Sequence, residues 1–315
     1  MEKDKNRNRR SPIFLIVSML CFIILIIIII YNFYSLNKSS TKNKELNNTL
    51  NTLKENYNIE INKESELKNN IDELNNIDNN ISKTKEEVFK LASKLENKIT
   101  NNETKYKIAY LTFDDGPYYS TDKVLDILKK YNIKATFFTI GLDKDICFDN
   151  KNYSCADTYK KIVDNGHTIA NHTYSHLIFR GLYNNSESFI NQVINQEELI
   201  KDRTGVTTNI LRFPGGSNTA KSLCRNDIDK IMNSLQDRHY GWVDWTAQDG
   251  DGGYLPSYEK AWSNFTNSIN ENIEVILFHD YSNITISMLP KAIEYLEERD
   301  YILLPLFYES IKVNK

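Results

Sequence analysis

Cysteine is scarce. There are four in 315 residues, none in the C-x2-C spacing of a structural zinc ribbon, which excludes a disulfide-built scaffold and a ribbon-type zinc fold. Basic charge is not in excess either: 39 Lys and Arg against 42 Asp and Glu leave a net charge of -3. Such a chain has no overall field to grip a phosphate backbone, so nucleic acid is disfavoured as a partner. Glycine and proline are missing altogether from residues 35 to 103, so that stretch has none of the usual turn formers. Any globular fold must come from an apolar core, and the composition shifts so sharply near residue 104 that the two parts are read separately.

What is present first is a long apolar run. From Ile13 to Tyr31 every residue except Ser18 is apolar or aromatic, about the length a helix needs to cross a hydrocarbon core of ~30 Å. A cleaved signal peptide is the rival, but Asn32, Phe33 and Tyr34 follow the run where a small-x-small site would stand. Lys3, Lys5, Arg7, Arg9 and Arg10 crowd the N-terminal flank, against the sparser Lys38, Lys42 and Lys44 beyond it. The positive-inside rule then predicts a cytoplasmic tail over 1–10, a membrane anchor over 11–34 and an extracellular remainder.

Residues 35 to 103 repeat every seven. One row reads Leu46, Leu53, Glu60, Leu67, Leu74, Ile81, Val88 and Leu95; the row four residues on reads Leu50, Tyr57, Glu64, Ile71, Asp78, Lys85, Ala92 and Ile99. The seam is apolar in one row and interrupted in the other, so a coiled-coil stalk and a solvated, partly disordered tether are both open readings. If helical, residues 46 to 99 span ~80 Å, and pairing through the seam would make a homodimer. In either case the segment is a spacer.

From Lys107 the pattern becomes short apolar runs alternating with longer amphipathic stretches, which predicts βα units around a parallel sheet or barrel in a domain over 104–315. Seven strands are expected, at Ile108 to Phe113, Ala135 to Ile140, Thr168 to Ala170, Ile210 to Phe213, Tyr240 to Trp245, Val275 to Phe278 and Ile302 to Leu306. Helices fall between them at about Thr121 to Tyr131, Asp157 to Asn165, Ser186 to Thr204, Thr219 to Gln236, Ser257 to Asn270 and Thr285 to Arg299. The reactive side chains all sit at strand ends: Asp114 and Asp115 after the first, His172 and His176 after the third, Arg212 in the fourth, His279 and Asp280 after the sixth. In a βα barrel those ends share one face, where active sites are kept.

Taken alone, Asp114-Asp115-Gly116-Pro117 reads as a solvated turn and the two histidines as a surface pair. Together they make a three-ligand set of two His and one carboxylate, with positions left open for water and substrate as a catalytic metal requires. Residue 173 is Thr, so this is not the H-E-x-x-H of a zinc protease, and the base must come from outside the pair. One Asp can bind the ion while its neighbour takes a proton, and His279 can supply a proton to the leaving group.

The runs Thr112-Phe113-Asp114-Asp115-Gly116-Pro117, His172-Thr173-Tyr174-Ser175-His176, Arg212-Phe213-Pro214-Gly215-Gly216 and Leu277-Phe278-His279-Asp280 resemble, in order, the motifs of the polysaccharide deacetylases of carbohydrate esterase family four, over roughly residues 105 to 310. The resemblance implies a deformed (β/α) barrel and metal-dependent hydrolysis of N-acetyl or O-acetyl groups on a sugar polymer. It implies Asp114 as general base, Arg212 as the residue holding it, and His279 as general acid. It also implies Asp115, His172 and His176 as ligands of a divalent ion, Zn2+ first and Co2+ as another choice. Gly215 would offer a backbone N–H to the oxyanion and Leu277 would line the acetyl pocket. Pro214, Trp245 and Tyr118 complete the expected substrate contacts, although an aromatic near a strand end is also ordinary core. Membrane tethering with a spacer points to cell-wall glycan, most naturally peptidoglycan N-acetylglucosamine. Exopolysaccharide, chitin, acetylxylan and a non-catalytic wall tether are the alternatives.

One motif departs from the family pattern. Trp245-Thr246-Ala247-Gln248-Asp249-Gly250-Asp251-Gly252 has Gln248 where an Asp usually tunes the acid histidine, and Gly252 where a Trp would wall the site. Asp249 or Asp251 is then the expected substitute. Cys147 and Cys155 are close enough in sequence for an extracellular disulfide, and two free thiols are the other reading. Cys21 and Cys224 have no evident partner.

Overall fold

The structure, a computed structural model, describes residues 92–93, 95–141, 147, 150–253 and 255–308. Among these no helix is long and apolar enough to cross a membrane. The apolar run at 13–31 and most of the heptad region lie outside them.

Eight strands form one sheet, β1 (Lys107–Asp114), β2 (Thr136–Thr139), β3 (Thr168–Asn171), β4 (Ile210–Leu211), β5 (Gly241–Trp242), β6 (Ala247–Gln248), β7 (Ile273–His279) and β8 (Tyr301–Leu304). Their order is β5-β4-β3-β2-β1-β7-β6, with β8 on the first half of β1, and every pairing is parallel. The run expected as one strand at Tyr240 to Trp245 is instead β5 followed by a short connection to β6, so the count is eight rather than seven. That connection bridges the gap between the two edges: the Val243 N–H reaches Leu211 O at 3.0 Å on one side and the Thr246 N–H reaches Val275 O at 2.9 Å on the other. The deformed barrel is thus closed by a segment of irregular backbone.

Among the described residues seven α-helices follow the strands: α1 (Thr121–Tyr131), α2 (Ala156–Asp164), α3 (Ser186–Thr204), α4 (Ser217–Leu223), α5 (Ile228–Asp237), α6 (Tyr258–Ser268) and α7 (Asn283–Glu297). Local chemistry sets several of the ends. Asn185 accepts the Ser188 N–H and Gly205 closes α3 at φ 73°, while Ser257 and Ser282 cap α6 and α7. The single helix expected over Thr219 to Gln236 is two, broken at 224–227. Its second half begins where Asp227 takes the Ser186 N–H at 3.1 Å and the Lys230 ammonium at 2.7 Å.

Alternation along the strands sorts the core into two layers. Ile108, Tyr110, Phe138, Ala170, Ile210, Val243 and Val275 point inward and fill the barrel. Ala109, Leu111, Phe113, Phe137, Ile169, Ile276 and Phe278 point outward under the apolar faces of α1, α2, α6 and α7. With both faces covered, β1 is buried along nearly its whole length, which is why it reads as a continuous apolar run. The helical residues 95–100, assigned from sequence to the stalk, belong to the inner layer: Ile99 is buried with Ile108 and Tyr110, Leu95 packs beside it, and the Tyr110 hydroxyl donates to buried Glu96. They close the barrel at the start of its strands, away from Asp114.

Candidate functional site

Asp114 is the last residue of β1 and continues the inward row of Ile108, Tyr110 and Thr112. Three strands away in the sheet, Arg212 leaves β4 and reaches across the interior. Its Nη1 donates to Asp114 Oδ1 at 2.8 Å and to Thr112 Oγ1 at 2.7 Å. Nε donates to Val243 O at 3.1 Å and Nη2 to Asp244 O at 2.9 Å, both in the segment that closes the barrel. The guanidinium also lies 4.2 Å from the Phe138 ring centroid. A buried cation survives only when its donors are satisfied, and this one is.

Asp115 turns out of the strand at φ 70°, a conformation costly for a residue with a Cβ. Its Oδ1 is buried without a hydrogen-bond partner, yet stands 3.1 Å from His176 Nε2 and 3.4 Å from His172 Nε2. His172 directs Nδ1 to the Arg212 carbonyl at 2.8 Å. That contact puts the proton on Nδ1 and leaves the Nε2 lone pair for a ligand. The two histidines sit on a loop after β3, with Thr173 and His176 at φ 67° and 54°. The ligand atoms of Asp115, His172 and His176 all lie within 4.8 Å of one another. An orphaned carboxylate oxygen facing two imidazole nitrogens fits a divalent ion of the zinc or cobalt kind. Burial and the charge of His172 hold the His176 imidazolium down to about pH 4, so at neutral pH its ring is free to bind. Burial would raise the Asp115 carboxyl, but the close approach of His172 and the facing His176 and His279 drive it well below the usual carboxylate range.

His279 ends β7, on the inward row with Val275 and Leu277 and in register with Asp114. Its Nδ1 lies 2.6 Å from Asp251 Oδ1, its backbone N–H donates to Asp251 Oδ2 at 3.0 Å, and its Nε2 is 3.7 Å from Asp115. Burial alone would lower the imidazole; the bond to Asp251, its charge and those of Asp115 and Asp114 outweigh this and raise it to about 9. Asp251 therefore does what the sequence reading placed at position 248. Gln248 is exposed on β6 and takes no part. Gly252 is required where a Trp was anticipated, because a Cβ there would stand 2.7 Å from His279 Cε1.

The other expected substrate residues surround this group at different ranges. Leu277 is buried one step behind His279. Trp245 lies 5.9 Å from the Arg212 guanidinium and packs close to Gly216. Gly215, at φ 74°, is exposed, and the Pro214 carbonyl accepts the Tyr183 hydroxyl at 2.9 Å. Tyr118 packs edge-on against Tyr281, whose ring is 5.1 Å from that of His279. Sequence reasoning missed Thr112, Tyr281 and Asp244. The last accepts both the Ser217 N–H at 2.8 Å and its hydroxyl at 2.6 Å, and so fixes the Pro214 to Gly216 turn at the head of α4. Thr112 alone carried a signal, as a polar residue on the inward row two places before Asp114. Cys147 and Cys155 form a disulfide, and Cys224 is buried and free.

A curled parallel sheet gathers these side chains at its strand ends, and the comparisons make the class specific. Residues 101–230 match the family model described as polysaccharide deacetylase, and the chain belongs to that family. It is 30% identical over 201 residues to a peptidoglycan-N-acetylglucosamine deacetylase of Bacillus cereus, covering 62% of this chain and 67% of that protein. It is 31% identical over 205 residues to a bifunctional xylanase/deacetylase of Pseudobutyrivibrio xylanivorans, covering 64% of this chain but only 30% of that larger protein. The crystal structure of the catalytic domain of a peptidoglycan N-acetylglucosamine deacetylase from Eubacterium rectale superimposes with a TM-score of 0.60 at 31% identity, over 66% of this chain and 92% of that one.

Proposed function

We propose that this chain is a metal-dependent hydrolase that removes N-acetyl groups from a cell-wall polysaccharide, with peptidoglycan N-acetylglucosamine as the substrate. The observation that carries the reading is the constellation itself: a three-ligand cluster flanked on one side by a carboxylate paired to a buried Arg and on the other by an imidazole paired to a buried Asp. Asp115, His172 and His176 would hold the ion, which when bound polarises the acetyl carbonyl and acidifies water. Asp114, held in place by its ion pair with Arg212, takes the proton of the attacking water. His279 keeps a proton on Nε2, since Nδ1 is engaged by Asp251, and releases it to the departing amine nitrogen. Leu277 walls the acetyl methyl, the Gly215 N–H faces the oxyanion, and Pro214, Trp245 and Tyr118 contact the sugar.

The choice of peptidoglycan is supported by the named activities of the Bacillus and Eubacterium relatives. Single-pass anchoring with the catalytic part outside is supported by the apolar run at 13–31 and its basic flank, and by a disulfide suited to an oxidising compartment. The test is acetate release by the full chain from peptidoglycan, chitin oligomers and acetylxylan, after chelation and after added zinc. Metal-dependent release that is fastest on peptidoglycan is expected. No release from any of the three with metal supplied would overturn the reading.

A further inference from the structure

The Asp251–His279 pair does not stand alone. Asp249 and Asp251 are both buried, at 0% and 1% exposure, and both reach one hydroxyl. Thr285 Oγ1 lies 2.6 Å from Asp251 Oδ2 and 2.7 Å from Asp249 Oδ2. The remaining oxygens are engaged: Asp251 Oδ1 by the His279 ring, Asp249 Oδ1 by the Asp251 N–H at 3.1 Å. A hydroxyl has a single proton to donate. Were both acids ionised, one of the two short contacts would set acceptor against acceptor in a site closed to water, which is costly.

From this geometry we propose that Asp249 is a positioning residue that carries a proton, donates it to Thr285, and through the Thr285 hydroxyl fixes Asp251 as the charged carboxylate on the Nδ1 side of His279. The inference rests on the reading of His279 as the acid. The proton belongs to Asp249 rather than Asp251 because only Asp251 faces a cation, the His279 imidazolium. Facing Asp249 are Asp251 on its own loop, Thr285 on α7, and Asn264 on α6, whose Nδ2 donates to the Asp249 carbonyl at 2.9 Å. Burial and the Asp251 charge raise the Asp249 carboxyl to about 7. A second ionised carboxylate here would tighten the hold on the His279 proton and make it a poorer acid.

Asp249→Asn puts an amide N–H where the acid proton stands and a carbonyl where Asp251 N–H donates, whereas Asp249→Ala removes both. At a pH below about 7, an infrared difference spectrum of wild type minus Asp249→Asn should show the C=O stretch of a protonated carboxylic acid. Absence of that band overturns the proposal whatever the activity. In turnover, Asp249→Ala should lose roughly 10-fold, the scale of one broken buried hydrogen bond, and Asp249→Asn should recover most of it. An Asn variant as poor as the Ala variant also overturns it. A wild-type enzyme that releases no acetate would sink the functional reading instead, and the infrared arm would still decide the proton on Asp249.

Discussion

Two buried ionisable side chains stand in register at the ends of adjacent strands, Asp114 on β1 and His279 on β7, and they are held by opposite means. Asp114 is gripped by a cation that crosses the barrel from β4, and His279 by an anion that folds over from the loop after β6. Asp251 favours the charged form of His279, while Arg212 meets the Asp114 carboxylate at 2.8 Å. In the proposed reaction the Asp114 side accepts a proton and the His279 side gives one away. The supports also differ in kind. Arg212 is anchored by backbone carbonyls and is part of how the barrel closes, while Asp251 rests on a short loop and a shared hydroxyl.

The comparison breaks hardest at Asp114. Asp114→Asn should cut acetate release roughly 1,000-fold, as an amide cannot take the proton, while zinc affinity by calorimetry stays near wild type. Asp115→Ala should lose metal and turnover together; equal metal loss in both variants would mean the adjacent carboxylates divide the work otherwise. Arg212→Met should act on the fold as well as the site. It strands a buried carboxylate and two carbonyls, at about 3–5 kcal/mol in urea unfolding, and a smaller loss would show the closure to be carried by other contacts.

On the other side, Asp251→Asn should lower turnover roughly 100-fold and move the alkaline limb of the rate profile to lower pH. It should also change stability with pH. The His279 pKa is raised from 6.5 to about 9 in the folded chain. The stabilisation this reflects is complete below 6.5 and disappears as pH rises through 9. Wild type should lose stability over that interval in thermal unfolding without metal, and the Asn variant should lose less. The smallest effect is expected at Gln248. Gln248→Asp adds a charge to an exposed strand residue, so it should shift stability by no more than about 0.5 kcal/mol and leave the pH profile in place. A moved profile would mean that position 248 senses His279 after all.

Much of the site was legible because it sits on the long strands. Asp114, Asp115, His172 and His279 follow runs whose apolar pattern fixes where the strand stops. The tuning acid was legible only as Asp249 or Asp251, because β6 is two residues long and no periodicity can set its register. The fold decides between them: past the bend at Gly250, with φ 85°, Asp251 rather than Asp249 meets the ring. The break in the helix after β4 was hidden for a related reason: the apolar period runs on through 224–227, and the Asp227 contacts that restart the helix come from Ser186 and Lys230. Leu95 and Ile99 teach the same lesson from the other direction. Both fall on the heptad rows, and both are covered by the barrel. A seven-residue pattern announces an apolar face without naming what lies against it.

That covering helix gives the molecule two poles. Residues 95–100 sit where the strands begin, with Ile108 and Tyr110, and the reactive side chains sit where the same strands end. The helix therefore plugs the end of the barrel opposite the one that carries the reactive side chains. Packing at one pole and chemistry at the other are separated by the length of the strands, so Ile99 can be altered without touching Asp114 or His279.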